Sequence, residues 1–181
     1  MYRPFGLLAA VGLALAVIAH ALTFYPGASI ITEDGSPVWL LHIGIFVVFV
    51  PMVFSMQWEF GTRRDRAAQR GDWPARRATW AAQMSFFPRW ARAVIVAAMV
   101  YTAYNFFTAL PFGGTPQVRN GQFVLVSHGT FIRTLSEDEY LAMKRGEVRG
   151  FSGHWIFFYL VPTLYFLFGR HPQSNPSSGA R

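Results

Sequence analysis

The chain has 181 residues, of which 52% are hydrophobic and 17% aromatic but only 14% charged, well below the quarter or so that is usual in soluble domains. That length suits one domain, and that composition suits a membrane better than water. There is no cysteine, which excludes disulfides, thiolate metal sites, cysteine-ligated iron–sulfur clusters and covalent c-type haem, and leaves histidine as the strong nitrogen ligand. A net charge of +7 raises the question of nucleic acid, which is answered by where the charge sits.

The first predicted element is an apolar helix over 5–25. Apart from His20, no acidic or basic side chain occurs between Arg3 and Glu33, and at about 1.5 Å per residue the run is long enough to cross a hydrocarbon core of roughly 30 Å. Gly12, Ala16 and His20 recur four residues apart, so His20 shares a face with small residues that let helices approach closely. Ala19-His20-Ala21 also fits a small-x-small signal cleavage site. The apolar run continues through Leu22, Phe24 and Tyr25, beyond a typical signal core, so an uncleaved helix is expected; cleavage would leave three spans.

A second span covers 38–58, with His42 as its one ionisable side chain and Pro51 deleting the backbone bond to Val47. The following stretch, 59–92, holds eight arginines (63, 64, 66, 70, 76, 77, 89 and 92) against Glu59, Asp65 and Asp72. An arginine excess of this kind marks a cytoplasmic loop. Within it, Asp72 and Pro74 read as a helix start, and Trp80, Ala81, Met84 and Phe87 make an apolar stripe suited to a membrane surface.

The third span, 93–112, aligns Ala93, Ala97, Tyr101 and Asn105 on one face, with Tyr104 and Thr108 adjacent. Tyr101, Tyr104 and Asn105 are expected to be buried polar residues, and a buried amide needs partners because an unsatisfied polar group in hydrocarbon costs several kcal/mol.

Residues 113–150 balance five basic against four acidic side chains and read as an extracytoplasmic cap. Asn120-Gly121 between β-prone runs is a strong hairpin signal, and a second turn is expected at Gly129. Ser136 as N-cap, Glu139 as its capping-box partner and Leu135 with Tyr140 as a hydrophobic staple predict a short helix to about Arg145. Glu137, Asp138 and Glu139 are read as helix-capping acids that offset the dipole. Gly146, Gly150 and Gly153 punctuate "RGEVRGFSGHW", where Arg145, Arg149 and Ser152 are candidates to hold an anionic ligand or lipid headgroup. The fourth span, 151–169, carries His154 near its start and Pro162 in its interior. Residues 171–181 are rich in Pro, Ser and Gly and are expected to be disordered.

The predicted fold is an all-α membrane protein: four transmembrane helices in a bundle, with a small extracytoplasmic β-meander plus a short helix between helices 3 and 4. Both termini would be cytoplasmic, and residues 1–170 would form one membrane domain. The charge then records orientation and contact with anionic lipid, so no nucleic-acid partner is expected. One lysine beside fifteen arginines points to a GC-rich bacterial gene, hence to a bacterial cytoplasmic (inner) membrane.

On this topology His20, His42 and His154 lie at similar depths near the outer side, with His128 in the cap. They could ligate a transition metal or a b-type haem, or relay protons as part of a small transporter or pH sensor. The simpler expectation is that they join bundle-stitching hydrogen bonds, each worth about 0.6–2 kcal/mol. No phosphate-loop, dinucleotide, zinc-protease or nucleophile-elbow motif occurs. The functional expectation is a non-enzymatic binding or accessory component, partnered by membrane lipid and by a membrane protein or a second copy of itself.

Overall fold

The computed structural model describes residues 3–25, 37–69, 83–109 and 113–169. Helix α1 (Arg3–Leu22) is followed by a 3₁₀ turn (Pro37–Trp39) that leads into α2 (Leu40–Gln69), then by α3 (Arg89–Ala109). Strands β1 (Thr115–Arg119), β2 (Gln122–Ser127) and β3 (Thr130–Thr134) precede α4 (Glu137–Phe168). Among the described residues, four helices are long and apolar enough to cross a membrane.

The helices alternate in direction, as short-range contacts at their two ends show. At one end His20 of α1 and Asn105 of α3 bond to the first half of α4, and His42 of α2 meets Trp155. At the other end Phe5, Ser55 and Trp90 reach Phe166, Tyr165 and Phe168. We call these the cap end and the arginine-rich end. Helix α4 is the axis against which the other three pack, and it contributes the buried Trp155, Tyr159, Leu164, Tyr165 and Phe166.

Small residues permit the closest approaches. A Cβ on Gly12 would run into the ring of Tyr159, and one on Gly44 would meet its hydroxyl. Tyr159 therefore lies in a slot between α1 and α2, where its hydroxyl donates to Leu41 O at 2.8 Å. Ala9, Ala16 and Ala19 complete the buried face of α1.

The meander follows the turn signals. Its strands pair in the order β1-β2-β3, all antiparallel. Asn120 and Gly121 have φ of 51° and 75°, the left-handed pair a two-residue type I′ hairpin requires. His128 and Gly129 repeat the pattern at 48° and 85°. Ser136 and Glu139 form both halves of the capping box, while Leu135 and Tyr140 are buried against Leu125.

One expectation about elements needs correction. The helix that begins at Ser136 does not stop near Arg145 but continues through the fourth span to Phe168, so no separate short helix lies between helices 3 and 4. Of the glycines that suggested a break, Gly153 instead admits a neighbour: a Cβ there would collide with the Asn105 amide. Packing and interhelical bonding offset a helix cost of about 1 kcal/mol per glycine. Helix α2 also extends past 58 to Gln69, because "GTRRDRAAQ" contains good helix formers.

Both α2 and α4 run on through Pro51 and Pro162. The surface helix expected from Asp72 falls mainly outside the described residues, although Phe87 from its stripe is fully buried beside Phe86 at the arginine-rich end. The 171–181 tail and the first loop with Glu33 and Asp34 also lie outside the described residues.

Candidate functional site

At the cap end, α1, α3 and α4 share a polar cluster centred on His20. Its Nδ1 lies 2.7 Å from Ser152 Oγ, and its Nε2 is hydrogen-bonded to the Tyr101 hydroxyl. Ser152 Oγ donates to Arg149 O at 3.0 Å. A serine hydroxyl has one proton, so that bond sets a direction for the chain. Tyr101 O–H donates to His20 Nε2, His20 Nδ1–H donates to Ser152 Oγ, and Ser152 donates to the backbone.

A second set of bonds closes around the end of α1. Arg149 Nη2 donates to Thr23 O at 2.7 Å and its Nε to Thr23 Oγ1 at 3.3 Å, with the guanidinium carbon 4.3 Å from the centre of the Phe24 ring. Thr23 Oγ1 in turn donates to His20 O at 2.6 Å. A cation here offsets the negative end of the α1 dipole and binds a carbonyl left unpaired at the helix terminus. From α3, Asn105 Nδ2 donates to Arg149 O at 2.7 Å, and Thr102 Oγ1 donates to Gly153 O at 3.0 Å.

Burial explains why these groups must meet. His20, Thr23, Thr102, Asn105 and Ser152 are all buried, and each leaves an unpaired polar atom if its partner is removed. Tyr101 is only partly covered, at 40% exposed, and Tyr104 is 67% exposed. Neither tyrosine is thus a buried polar residue as expected: Tyr104 points out of the bundle, one position off the Tyr101–Asn105 face, and Tyr101 lies at the edge of the cluster with its hydroxyl on His20.

The four candidate metal-ligating histidines do not form one site. Among the described residues no three His, Asp or Glu side chains are grouped to hold a metal ion. His20 spends both ring nitrogens on Ser152 and Tyr101. His42 accepts at Nδ1 from Trp155 Nε1 at 3.1 Å. His154 turns Nδ1 to Gly150 O at 3.1 Å and packs its ring edge-to-face on Phe106. His128 is exposed, in the left-handed position of a hairpin turn. Similar depth along three helices does not bring the side chains of His20, His42 and His154 together, because each helix also chooses a rotation about its axis.

The three headgroup candidates differ in their surroundings. Ser152 is fully buried and has no surface to offer a lipid. Arg149 is committed to Thr23 and the Phe24 ring. Arg145 is half-buried, one helical turn before Arg149.

Sequence reasoning missed Thr23, Thr102 and the Trp155–His42 bond. Thr102 lies three positions before Asn105, a spacing that places both on one face of α3 and was a usable signal. Trp155 gave none beyond its place near a helix end.

No family model, curated protein or solved structure matches this chain, so its chemistry is read from the residues themselves.

Proposed function

We propose that this chain is a multi-pass protein of a bacterial cytoplasmic membrane, with both ends in the cytoplasm and the β-meander outside, and that it acts as a non-enzymatic binding or accessory component. The observation that carries this reading is the polar cluster, whose donors and acceptors are consumed in joining helices. The Ser152–His20 contact has nucleophile-and-base residue types but the opposite proton direction, since the serine accepts from the imidazole and gives its own proton to a carbonyl. A nucleophilic serine needs a base that takes its proton and a surface that substrate can reach. The cluster is therefore a clamp that registers α1 and α3 on α4.

The outward faces of the helices support the membrane reading. Leu7, Val11, Ile18, Ile43, Phe54 and Val100 are all exposed, a pattern suited to hydrocarbon and costly in water. The arginine excess over 59–92 supports the orientation.

Reporter fusions test it. Fusions after Arg70 and after Arg181 are expected to read cytoplasmic, and one inserted beside Asn120 external; an external signal at Arg70 overturns the orientation. Purification from the membrane with an untagged second copy and with co-extracted proteins tests the partner class, a membrane protein or a homo-oligomer.

A further inference from the structure

A cavity of about 300 Å³ lies between α2 and α4 near the cap end, with Phe46, Phe49, Phe151 and Phe158 in its wall together with His42 and His154. Phe46 at its rim is 60% exposed and Val50 39%, so the cavity opens onto the side of the bundle rather than onto its ends. On the membrane reading above, which this inference rests on, its occupant arrives through hydrocarbon.

The two imidazoles are held in opposite tautomers. Trp155 Nε1–H can only donate, so His42 Nδ1, its acceptor at 3.1 Å, has no proton and a neutral His42 carries its proton on Nε2. Gly150 O can only accept, so His154 Nδ1, at 3.1 Å from it, holds the proton and leaves a lone pair on Nε2. Neither Nε2 is engaged among the described residues. One histidine therefore offers a donor and the other an acceptor beside the same aromatic wall. This argues against a metal or haem held by both, because His42 Nε2 has no lone pair to give.

We propose that this cavity binds the ring of a lipid-soluble 1,4-quinone and its quinol. Phenylalanine faces and edges suit a flat ring, and a quinone carbonyl accepts from His42 Nε2–H. The reduced form has hydroxyl protons as well, so it adds a bond to His154 Nε2 that the quinone cannot make. The apolar crevices along α1 and α2, lined by Leu15, Ile18, Leu22 and Leu41 and by Leu8, Val11, Val47 and Tyr159, have no imidazole in their walls, and the Tyr159 hydroxyl is spent on Leu41 O, so they suit aliphatic chains. Binding alone is proposed, with no electron transfer.

The test uses full-length protein purified from membranes into quinone-free nanodiscs. Quenching of tryptophan fluorescence is followed with a decyl-tailed benzoquinone and, separately, a phytyl-tailed naphthoquinone, and each is competed anaerobically by its quinol. Saturable quenching by at least one is expected, and the arm that saturates distinguishes the two ring types. A single hydrogen bond is worth about 1 kcal/mol, hence about fivefold in affinity. His154→Leu should weaken quinol competition by about fivefold and leave quinone binding unchanged, whereas His42→Leu should weaken both. Val50→Phe should obstruct the cavity mouth and weaken both without touching either histidine bond, which keeps the test intact if loss of the Trp155 partner unfolds His42→Leu. Absence of saturable quenching by either quinone, or equal affinities in wild type, His154→Leu and Val50→Phe, overturns the proposal. Those results leave the membrane reading standing, while recovery of the chain from the soluble fraction would refute that reading first.

Discussion

The two ends of the helical body are held by different means. At the arginine-rich end, Met52, Phe86, Phe87, Ala91, Ile95, Leu164, Tyr165 and Phe166 pack as one cluster, with Tyr165 contacting both Phe86 and Phe87 edge-on or tilted. At the cap end, His20, Ser152, Asn105, Thr102, Thr23 and Arg149 are joined by directed hydrogen bonds. On the membrane reading proposed above, burying a phenylalanine gains dispersion but little solvent-driven free energy, so packing must be tight to hold helices together. Polar bonds do something packing cannot: they select one rotation and one register, because a shift of one residue on either helix leaves donors unpaired. The aromatic end holds the helices close, and the polar end decides how they face.

The largest break in this comparison is expected at the aromatic end. Phe87→Ala removes a fully buried ring and should cost about 3 kcal/mol, read as a lowered melting temperature in detergent; a cost below that of His20→Leu would reverse the assignment of roles. Between the two ends, Gly12→Leu drives a side chain into the Tyr159 ring. About 1–3 kcal/mol is expected from such overpacking, with Leu13→Val nearly silent, and equal tolerance of both would detach α1 from the bundle.

At the polar end, His20→Leu strands Ser152 and Tyr101 and should cost about 1–2 kcal/mol. Paired with Tyr101→Phe in a double-mutant cycle, it should show a coupling of about 0.6–1.7 kcal/mol; additive effects would mean that the bond does not register α1 on α3. The signature of register loss is spectroscopic as well, since Asn105 amide resonances should move in His20→Leu and stay in Phe87→Ala.

The smallest effect lies in the cap, outside both ends. The Arg133 side chain, 2.9 Å away, and then the Ser136 backbone N–H hold the Glu139 carboxyl down at about 2, below its usual 4.5. A depressed carboxyl contributes stability that is present above the unfolded value near 4.5 and is lost as pH falls through about 2. Amide protection factors at the start of α4 should hold down to about pH 4.5 and decline progressively from there to about pH 2. Because this pair is exposed, the change should be small and weakened by salt. Loss of protection already at pH 5 would mean that the capping box does not depend on Glu139.

Much of this molecule is legible along the chain because it is written in local terms. Runs of apolar residues long enough to cross a membrane, Asn120-Gly121 at a hairpin and the Ser136–Glu139 box each depend on neighbours within a few positions, and each appears at its place. The continuity of α4 past Gly146, Gly150 and Gly153 was not legible, because glycine breaks a solitary helix but suits a packed one, and the group that packs on Gly153 is Asn105, on another helix. The histidines make the same point for the site. Their depth could be counted from the sequence, but ligation depends on the direction in which each ring projects, set by rotation of each helix about its axis. That rotation is decided when Tyr159 enters the slot between Gly12 and Gly44 and Asn105 finds the carbonyls of α4. Composition and periodicity determined the elements and their order; only interhelical contact decided that His20 meets Ser152 and Tyr101 while His42 and His154 face a different cavity.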